Sequence, residues 1–331
     1  MSENLILGIE TSCDDTSIAV VRESGRVLCC KTASQVDVHK GYGGIYPEFA
    51  SRAHVEAIIP TLRAVMQETA ITSSDLSAIG VTRGPGLIGS LLVGLHTAAG
   101  LGAGWGLPVY GVNHLRGHLR SALLEGGEVH YPAVVLLVSG GHTLIAHMKD
   151  ADSMALVGTT RDDSVGEAYD KVARMLGLGF PGGPVIDRAA SKGTANIRFP
   201  RPMLGQGFAF SFSGLKSSVR RYIEQNPAPV SNDVAASFVA ACMDVLVSKC
   251  RAAISTYTPA SLIVVGGVSA SPQLRAAMQS LCHDTGTRLS LPPAQWSTDN
   301  GAMIAMATWD YLRADAAQVL DVDPNLPFDT L

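Results

Sequence analysis

Charged side chains are scarce in this chain of 331 residues, because Asp, Glu, Lys and Arg make up 16% of it, against about 25% in typical soluble proteins. Hydrophobic residues make up 47%. A chain of this length and composition predicts a large buried core, arranged as two domains or one large α/β unit. The low charge also predicts surface that is buried against partners.

Cysteine pairs of the CxxC kind are absent from the sequence. The six cysteines are Cys13, Cys29, Cys30, Cys242, Cys250 and Cys282. Without such a pair and without a signal peptide, we expect reduced thiols, a cytoplasmic location and no structural zinc bound by sulfur.

Charge is missing altogether between Arg83 and Arg116. A membrane-spanning helix needs roughly 20 consecutive apolar residues, but Pro85 and Pro108 interrupt this stretch. We therefore interpret it as a buried helix, a Gly-rich turn at Gly100–Gly106 and a buried strand at Val109–Val112, with no membrane contact.

Two common nucleotide signatures are also missing. There is no GxxxxGK[ST] loop and no GxGxxG after a strand, which disfavours a dinucleotide site. Three Gly-rich turns remain, at Ser139–Thr143, Phe180–Pro184 and Gly266–Ser271. Glycine lets backbone amides approach a phosphate, although glycine pairs also make ordinary hairpin turns. Together the three turns favour a site for a phosphate or a nucleotide.

A strand–turn–strand pattern occurs twice. Leu5–Ile9 and Ile18–Val21 flank one polar turn, and Val134–Val138 and Leu144–His147 flank another. This repeat predicts two lobes of common plan, 1–130 and 131–331, with a ligand cleft between them. The final helix, from about residue 300, is free to pack back across the first lobe.

Helical and strand patterns alternate around these hairpins, which predicts an α/β fold. The predicted helices are Ala50–Glu68, one from Leu87 onward, Gly166–Leu176, Asp233–Tyr257 and Asn300–Leu312, and the further predicted strands are Leu76–Thr82 and Leu262–Val265.

Two histidines, His114 and His118, stand four residues apart, so on a helix both rings would share one face. Asp299, at the start of the final predicted helix, offers a carboxylate. Two His and one carboxylate form a ligand set with open positions, which suits a mononuclear catalytic metal. Taken alone, the pair is more typical of two ordinary helix histidines, because i,i+4 pairs arise often.

Residues 188–223 include no acidic side chain and seven basic ones, in a chain whose net charge is −4. Phe199, Phe208, Phe210 and Phe212 are interleaved with them. Basic groups beside aromatic faces suit a phosphate backbone with unstacked bases. The alternative is a solvated surface whose phenylalanines belong to the core.

Six motifs resemble, in order along nearly the whole chain, those of the TsaD family, the tRNA threonylcarbamoyladenosine transferases. They are Gly8–Thr16, Asn113–His118, Leu137–Thr143, Gly166–Lys171, Ser211–Lys216 and Ser297–Asn300. The resemblance implies a two-lobed actin/hexokinase/Hsp70-like (ASKHA) α/β fold with a duplicated mixed sheet and a central cleft.

The resemblance also implies an acyltransferase that moves a threonylcarbamoyl group from threonylcarbamoyl-AMP to the exocyclic amine of the tRNA adenosine beside the anticodon. His114, His118 and Asp299 would hold one divalent metal, iron first and zinc second. The ligand-binding positions would be Leu137, Val138, Ser139, Gly140, Gly141, His142, Asp170, Gly183, Asp187 and Ser271, the last standing where the family usually has Asn. The expected partners are tRNA, a TsaB-type pseudo-paralogue and a TsaE-type ATPase.

Asp14, in the first polar turn, is the candidate catalytic residue. A carbamoyl–phosphate anhydride already has a good leaving group, whereas an adenine amine is a poor nucleophile. Asp14 would therefore orient the reacting groups or accept a proton. Its alternative role is hydrogen bonding within its own turn.

Three other functions compete with this one. A metalloprotease of the HExxH kind needs Glu after its first His, and Leu115 stands there. A sugar kinase or ATPase of the same fold would hold Mg²⁺ through carboxylates. A non-enzymatic scaffold would not need all three metal ligands.

Overall fold

The chain forms two compact units. In a computed structural model, which describes residues 4–40, 42, 44–151, 153–226 and 229–328, the first unit comprises Met1–Glu128 and Asp299–Leu331, and the second comprises Val129–Thr298. The segment from Asp299 onward belongs to the first unit. The sequence grouped it with the lobe 131–331 and left the final helix free to pack across the first lobe.

The first unit is built on a five-stranded mixed sheet in the order β3-β2-β1-β4-β5. Strands β1, β2 and β3 are antiparallel neighbours, whereas β4 runs parallel to β1, and β5 runs parallel to β4. The strands are β1 (Leu5–Glu10), β2 (Asp15–Arg22), β3 (Val27–Ser34), β4 (Leu76–Gly84) and β5 (Val109–Asn113).

Five α-helices belong to the described part of the first unit. They are α1 (Val36–Lys40), α2 (Pro47–Thr69), α3 (Ile88–Trp105), α4 (His114–Arg120) and α10 (Gly301–Arg313), with short 3₁₀ helices at Ser73–Asp75 and Ser121–Gly126. Helix α10 lies very close to β1, because a Cβ atom on Gly8 would sit 2.1 Å from the carbonyl oxygen of Gly301. This contact fixes the start of α10, and with it Asp299, against the sheet.

The second unit repeats the plan of the first. Its sheet has the order β10-β9-β6-β7-β8, in which β6, β7 and β8 are antiparallel neighbours, while β9 runs parallel to β6 and β10 runs parallel to β9. The strands are β6 (Ala133–Val138), β7 (Thr143–Met148), β8 (Met154–Thr159), β9 (Ser261–Val265) and β10 (Arg288–Ser290). The predicted duplication is therefore confirmed strand by strand.

The helices of the second unit pack on this sheet and on one another. They are α5 (Val165–Met175), α6 (Gly182–Ala190), α7 (Ser213–Gln225), α8 (Ser231–Tyr257) and α9 (Pro272–Thr285), with short 3₁₀ helices at Gly267–Ala270 and Ala294–Trp296. The predicted helices at 166–176 and 233–257 agree with α5 and α8 to within two residues.

Three of the four phenylalanines of the basic window belong to the core, and Phe208 is half-buried against it. Of the two alternatives that the sequence left open, the core one therefore holds for these three rings. Phe199, Phe210 and Phe212 are buried together with Tyr169 and Phe238. Burying a ring of this size contributes about 1.5–3 kcal/mol, so these rings are not available to a nucleic acid.

The Gly-rich turn predicted after the charge-free helix is also wrong in its extent. Gly100, Gly102 and Gly104 lie inside α3, and only Gly106 takes the left-handed backbone conformation that ends the helix. Packing explains this, because a Cβ atom on Gly102 would lie 2.3 Å from a Val109 methyl carbon. Glycine is retained there for close contact with the neighbouring strand, at a modest cost in helix propensity.

Helix α3 is also the one helix of the described residues that is long and apolar enough to cross a membrane. Its inner face packs against α2 and β4 and buries Leu91, Leu95 and Ala98. Core helices that lie on a sheet have the same length and composition.

Candidate metal centre and ligand pocket

The seven-residue helix α4 carries the two histidines. Asn113 caps its first turn by accepting a hydrogen bond from the Leu115 N–H at 3.0 Å. His114 is 6% exposed and His118 is fully buried. Their rings lie 4.7 Å apart, edge to face, as the i,i+4 spacing predicts.

Asp299 meets both rings. Its Oδ1 atom lies 3.1 Å from Nε2 of His118 and 3.7 Å from Nε2 of His114. One ligand atom from each of the three residues lies within 4.8 Å of the others. The structure therefore brings together the whole predicted ligand set, although its parts are far apart in the sequence.

The atoms of this cluster fit a metal ion. His118 is fully buried, and neither of its ring nitrogens makes a well-formed hydrogen bond to a described residue, even though Nε2 approaches Asp299. Burying a polar atom without a hydrogen bond costs free energy unless a bound ligand supplies the missing interaction. Two imidazole nitrogens and one carboxylate oxygen form the donor set that Fe²⁺ and Zn²⁺ accept with open positions.

Glu10 supports the cluster from behind, a role that the sequence analysis did not assign. The Nδ1 atom of His114 lies 3.1 Å from Glu10 Oε2, while Ser12 N–H and the Thr82 hydroxyl also donate to this carboxylate. In the neutral form of the ring, a hydrogen bond from Nδ1 to a carboxylate leaves the Nε2 lone pair facing Asp299, which is the arrangement that orients histidine ligands in metal sites.

Charge is concentrated around His114. Burial lowers the pKa of His114, but the charges of Glu10 and Asp299 and the hydrogen bond to Glu10 outweigh burial and raise that pKa to about 9. Burial likewise raises the pKa of Glu10, and the interactions with His114 more than offset this, so that the pKa lies below its ordinary value. The surroundings of His114 therefore favour a positive charge beside the carboxylates of Glu10 and Asp299.

Asp14 lies in the turn between β1 and β2, near this cluster. Burial, followed by the charge of Asp299, raises the pKa of the Asp14 carboxyl. The neighbouring Asp15 shows the same behaviour, because burial raises its pKa to about 6. Either carboxylate has a higher proton affinity than an ordinary aspartate.

The second unit contains a separate cavity of about 580 Å³. It is lined by Gly140, Gly166, Tyr169, Asp170, Pro181, Gly183, Pro184, Asp187, Arg188, Ser191, Gly267, Val268, Ala270, Ser271, Pro272, Gln273 and Thr298. All three Gly-rich turns of the sequence analysis contribute to this lining.

Half of the predicted ligand-binding positions line this cavity, namely Gly140, Asp170, Gly183, Asp187 and Ser271. The others do not. Leu137 and Val138 are buried in β6, while Ser139, Gly141 and His142 complete the hairpin turn, in which the Ser139 hydroxyl accepts a hydrogen bond from the His142 N–H.

Ser271 caps α9, since its hydroxyl accepts from the Leu274 N–H at 3.4 Å. Asp170 plays a comparable part at α6, where its Oδ1 accepts from the Gly182 N–H at 2.7 Å. Residue 182 must be glycine for this approach, because a Cβ atom there would lie 2.5 Å from the Asp170 backbone. Two helix N-termini therefore open on the cavity, a geometry that favours an anion.

Two polar atoms of the cavity wall lack a hydrogen-bond partner among the described residues. They are the buried Oδ1 atom of Asp187 and the hydroxyl of Tyr169. Burial raises the pKa of Asp187, a shift that Ser271 partly offsets. Tyr169 belongs to a motif of the sequence analysis but was given no role there. A ligand with hydroxyl or amine groups would satisfy both atoms.

Comparison with known sequences identifies the family. The profile of the family described as TsaD, tRNA N6-adenosine threonylcarbamoyltransferase, matches residues 26–306. Proteins of that name from Geotalea uraniireducens and Geobacillus kaustophilus are each 44% identical to this chain, of which 99% is covered, together with 97% and 98% of their own lengths. A protein of the same name from Kosmotoga olearia is 42% identical over 96% of both chains.

Solved structures support the fold. HypF from T. kodakarensis matches 96% of this chain with a TM-score of 0.66 at 12% identity, and 49% of HypF is covered. Component A of the (R)-2-hydroxyglutaryl-CoA dehydratase from Acidaminococcus fermentans matches 94% of this chain and 99% of its own with a TM-score of 0.55 at 13% identity. The ASKHA-type fold expected from the sequence is thereby confirmed, and the chain belongs to the TsaD family of tRNA N6-adenosine threonylcarbamoyltransferases.

Proposed function

We propose that this chain transfers the threonylcarbamoyl group of threonylcarbamoyl-AMP to the exocyclic amine of the tRNA adenosine beside the anticodon. The observation that carries this proposal is the union of His114, His118 and Asp299 in a chain whose relatives bear the transferase name over their full lengths. In the reaction a bond forms between the adenine nitrogen and the carbamoyl carbon. The bond from that carbon to the phosphate oxygen breaks, AMP leaves, and the amine loses a proton.

The three ligand residues would hold one divalent metal, iron first and zinc second. A metal bound there would supply a Lewis acid and a template for the oxygens of the donor. The contribution of the chain is the fixed geometry, since α4 holds the two imidazoles one turn apart and the closely packed start of α10 holds the carboxylate. Glu10 keeps the His114 ring in the ligating tautomer.

Asp14 would orient the adenine amine or accept its proton. Support comes from its raised pKa, because a carboxylate with elevated proton affinity is a better base at neutral pH. Asp15 has the same property and stands beside it. The two residues are distinguishable by separate replacement with Asn.

The cavity of the second unit would hold the adenylate part of the donor. Asp187 would accept hydrogen bonds from ribose hydroxyls, and the Tyr169 hydroxyl would form a hydrogen bond with a polar atom of the ligand. The Oδ1 atom of Asp187 and the hydroxyl of Tyr169 are both buried, and a buried polar atom is costly without a hydrogen-bond partner. The Gly140 and Gly183 backbones leave open space in front of them, which allows a ligand to approach closely.

The tRNA would bind through a smaller set of basic residues than the sequence predicted. Three of the seven form ion pairs, namely Arg201 with Asp244, Lys216 with Asp163 and Arg220 with Glu224. The remaining four, Arg188, Lys192, Arg198 and Arg221, are exposed. We assign the phosphate contacts to these four.

A TsaB-type protein would dock on the outer face of α2 and α3. Val55 and Ile59 on α2, and Ile88 and Leu92 on α3, are 37–62% exposed and form an i,i+4 pair on each helix. The α3 row continues through His96 to Gly100 and Gly104, which have open space beside them and so permit a helix to pack closely. A TsaE-type ATPase would join this complex, and we place the assembly in the cytoplasm.

The test is transfer in a purified system. Threonylcarbamoyl-AMP labelled in its threonine is incubated with unmodified tRNA, the chain and its TsaB-type partner. We expect label in tRNA with the unmodified chain and none with Asp299→Asn. Equal labelling by both would overturn the assignment of the site.

A further inference from the structure

The segment Asp323–Phe328, here called the strap, folds back onto the C-terminal ends of β4 and β5. Asp323 N–H donates to the Arg83 carbonyl at 2.9 Å, and Gly86 N–H donates to the Pro324 carbonyl at 3.2 Å. Leu326 and Phe328 are 4% and 5% exposed. The strap is therefore held by backbone hydrogen bonds and by two buried side chains.

The strap reaches the start of the histidine helix through the side chain of Asn113. The Nδ2 atom of Asn113 donates to the Pro327 carbonyl at 2.7 Å, while Oδ1 of the same amide accepts the capping hydrogen bond from Leu115 N–H at 3.0 Å. An amide offers a donor at one end and an acceptor at the other. The two bonds together therefore fix its orientation.

Helix α4 depends on such contacts because it is short. Its seven residues are far fewer than the roughly 12–15 that an isolated helix needs to persist in water. Asn113 directly precedes His114, so whatever fixes Asn113 also fixes the turn from which both imidazoles project. Tyr311 adds a second support, because its hydroxyl accepts from Asn113 N–H at 3.0 Å.

We propose that the strap positions the His114–His118 pair for metal binding through Asn113, which makes Asn113 a positioning residue rather than a simple helix cap. The inference rests on the proposed metal site and adds to it a structural element that lies outside the ligand set. The inference requires that the hydrogen bond from Asn113 Nδ2 to Pro327 affects metal affinity independently of the capping hydrogen bond at Oδ1.

Asn113→Ser separates the two ends. Serine caps helices about as well as asparagine, but its short side chain cannot span the distance to the Pro327 carbonyl. We expect Co²⁺ affinity, measured by competition with a chelator, to fall about tenfold, at the lower end of the 10–100-fold effect of lost supporting contacts. The visible absorption of bound Co²⁺ should change as well, which a purely structural cap would not cause.

Gln318→Ala is the matched control. Gln318 lies earlier in the same returning segment and accepts from Val109 N–H at 3.2 Å, on β5 rather than on α4. We expect this variant to keep the Co²⁺ affinity and spectrum of the unmodified chain. Equal losses in Gln318→Ala and Asn113→Ser would overturn the inference.

A chain shortened after Asp323 completes the test. If the strap acts through Asn113, adding Asn113→Ser to the shortened chain should cause little further loss, so the two effects are not additive. Additive losses of Co²⁺ affinity would overturn the inference. Unchanged affinity in Asn113→Ser alone would also overturn it, and this measurement does not depend on whether the shortened chain folds. Failure of the unmodified chain to bind Co²⁺ would instead overturn the metal site itself, and the inference with it.

Discussion

Replacement of Glu10 by Gln probes the support of His114 most sharply. The carboxylate accepts hydrogen bonds at both oxygens, from Ser12 N–H at Oε1, and from Thr82 and His114 at Oε2. Glutamine has nearly the same volume but only one oxygen. If the NH₂ group takes the place of Oε1, it faces the Ser12 N–H. If it takes the place of Oε2, it faces Thr82 and His114, and His114 then favours the tautomer whose Nε2 carries the proton.

Two consequences of Glu10→Gln oppose each other. Loss of the nearby charge lowers the pKa of His114 from about 9, which reduces competition by protons and favours metal binding. The same charge attracts a divalent ion more strongly than a proton, however, and its orienting hydrogen bond is lost as well. We therefore expect a net loss of ten- to a hundredfold in metal affinity, which corresponds to about 1.4–2.8 kcal/mol.

The assay is a Zn²⁺ titration against a chelator at fixed pH, with circular dichroism to establish that the variant is folded. Glu68→Gln serves as the control, because Glu68 is an exposed carboxylate of the same unit that pairs with Lys31. A folded Glu10→Gln protein that binds Zn²⁺ within twofold of the unmodified chain would refute the orienting role.

Three further predictions concern the other proposed surfaces. Gly140→Val should weaken AMP binding at least tenfold in calorimetry, because its side chain would project into open space at the wall of the cavity. Arg221→Glu should weaken tRNA binding severalfold at low salt and flatten its salt dependence, measured by filter binding, since each phosphate contact contributes about one unit of the logarithmic slope. Val55→Glu should abolish co-purification with a TsaB-type protein, because it buries a charge in an apolar contact.

Each of these predictions has a matched control. Gly141→Val introduces the same side chain into the same turn, but Gly141 does not line the cavity. Arg220→Glu reverses a charge that Glu224 already offsets. Leu156→Glu places a charge on an exposed leucine of β8, in the other unit. If a control variant weakened binding as much as its test variant does, the proposed role of the corresponding surface would be contradicted.

The sequence predicted the duplicated sheets because both hairpins carry uninterrupted apolar runs beside short polar turns. It did not reveal β3, β8 or the three-residue β10. Strand β3 contains Cys29, Cys30 and Lys31 and is only partly buried, and β8 is exposed along one edge, so neither shows the apolar pattern of a central strand. Edge strands are selected by pairing with their neighbours, which local composition does not record.

The candidate site was predictable where spacing within one helix carries the information. The four-residue interval brought His114 and His118 together, but Asp299 required the fold, or a family resemblance, to join them. Glu10 and Tyr169 lay inside recognised motifs without an assigned role. Glu10 could not be assigned because its histidine partner lies 104 residues away in the sequence. The Tyr169 hydroxyl could not be assigned because its lack of a hydrogen-bond partner is evident only in the folded structure.

For the basic window, residues 188–223, the composition predicted a larger nucleic-acid-binding surface than the fold provides. Segregated charge is real in the sequence, but acidic residues from neighbouring segments, such as Asp163 and Asp244, offset part of it. The aromatic residues between the basic ones are mainly core. A one-dimensional window cannot distinguish a surface patch from a strand or loop whose alternate residues point inward.

Transfer to tRNA and its dependence on the metal site are tested together by mass spectrometry of tRNA nucleosides. The nucleosides come from cells depleted of this protein and supplied with either the unmodified chain or His118→Ala. We expect that threonylcarbamoyladenosine disappears on depletion, returns with the unmodified chain, and stays absent with His118→Ala expressed at the same level. Normal threonylcarbamoyladenosine in the depleted cells, or full recovery with His118→Ala, would contradict it.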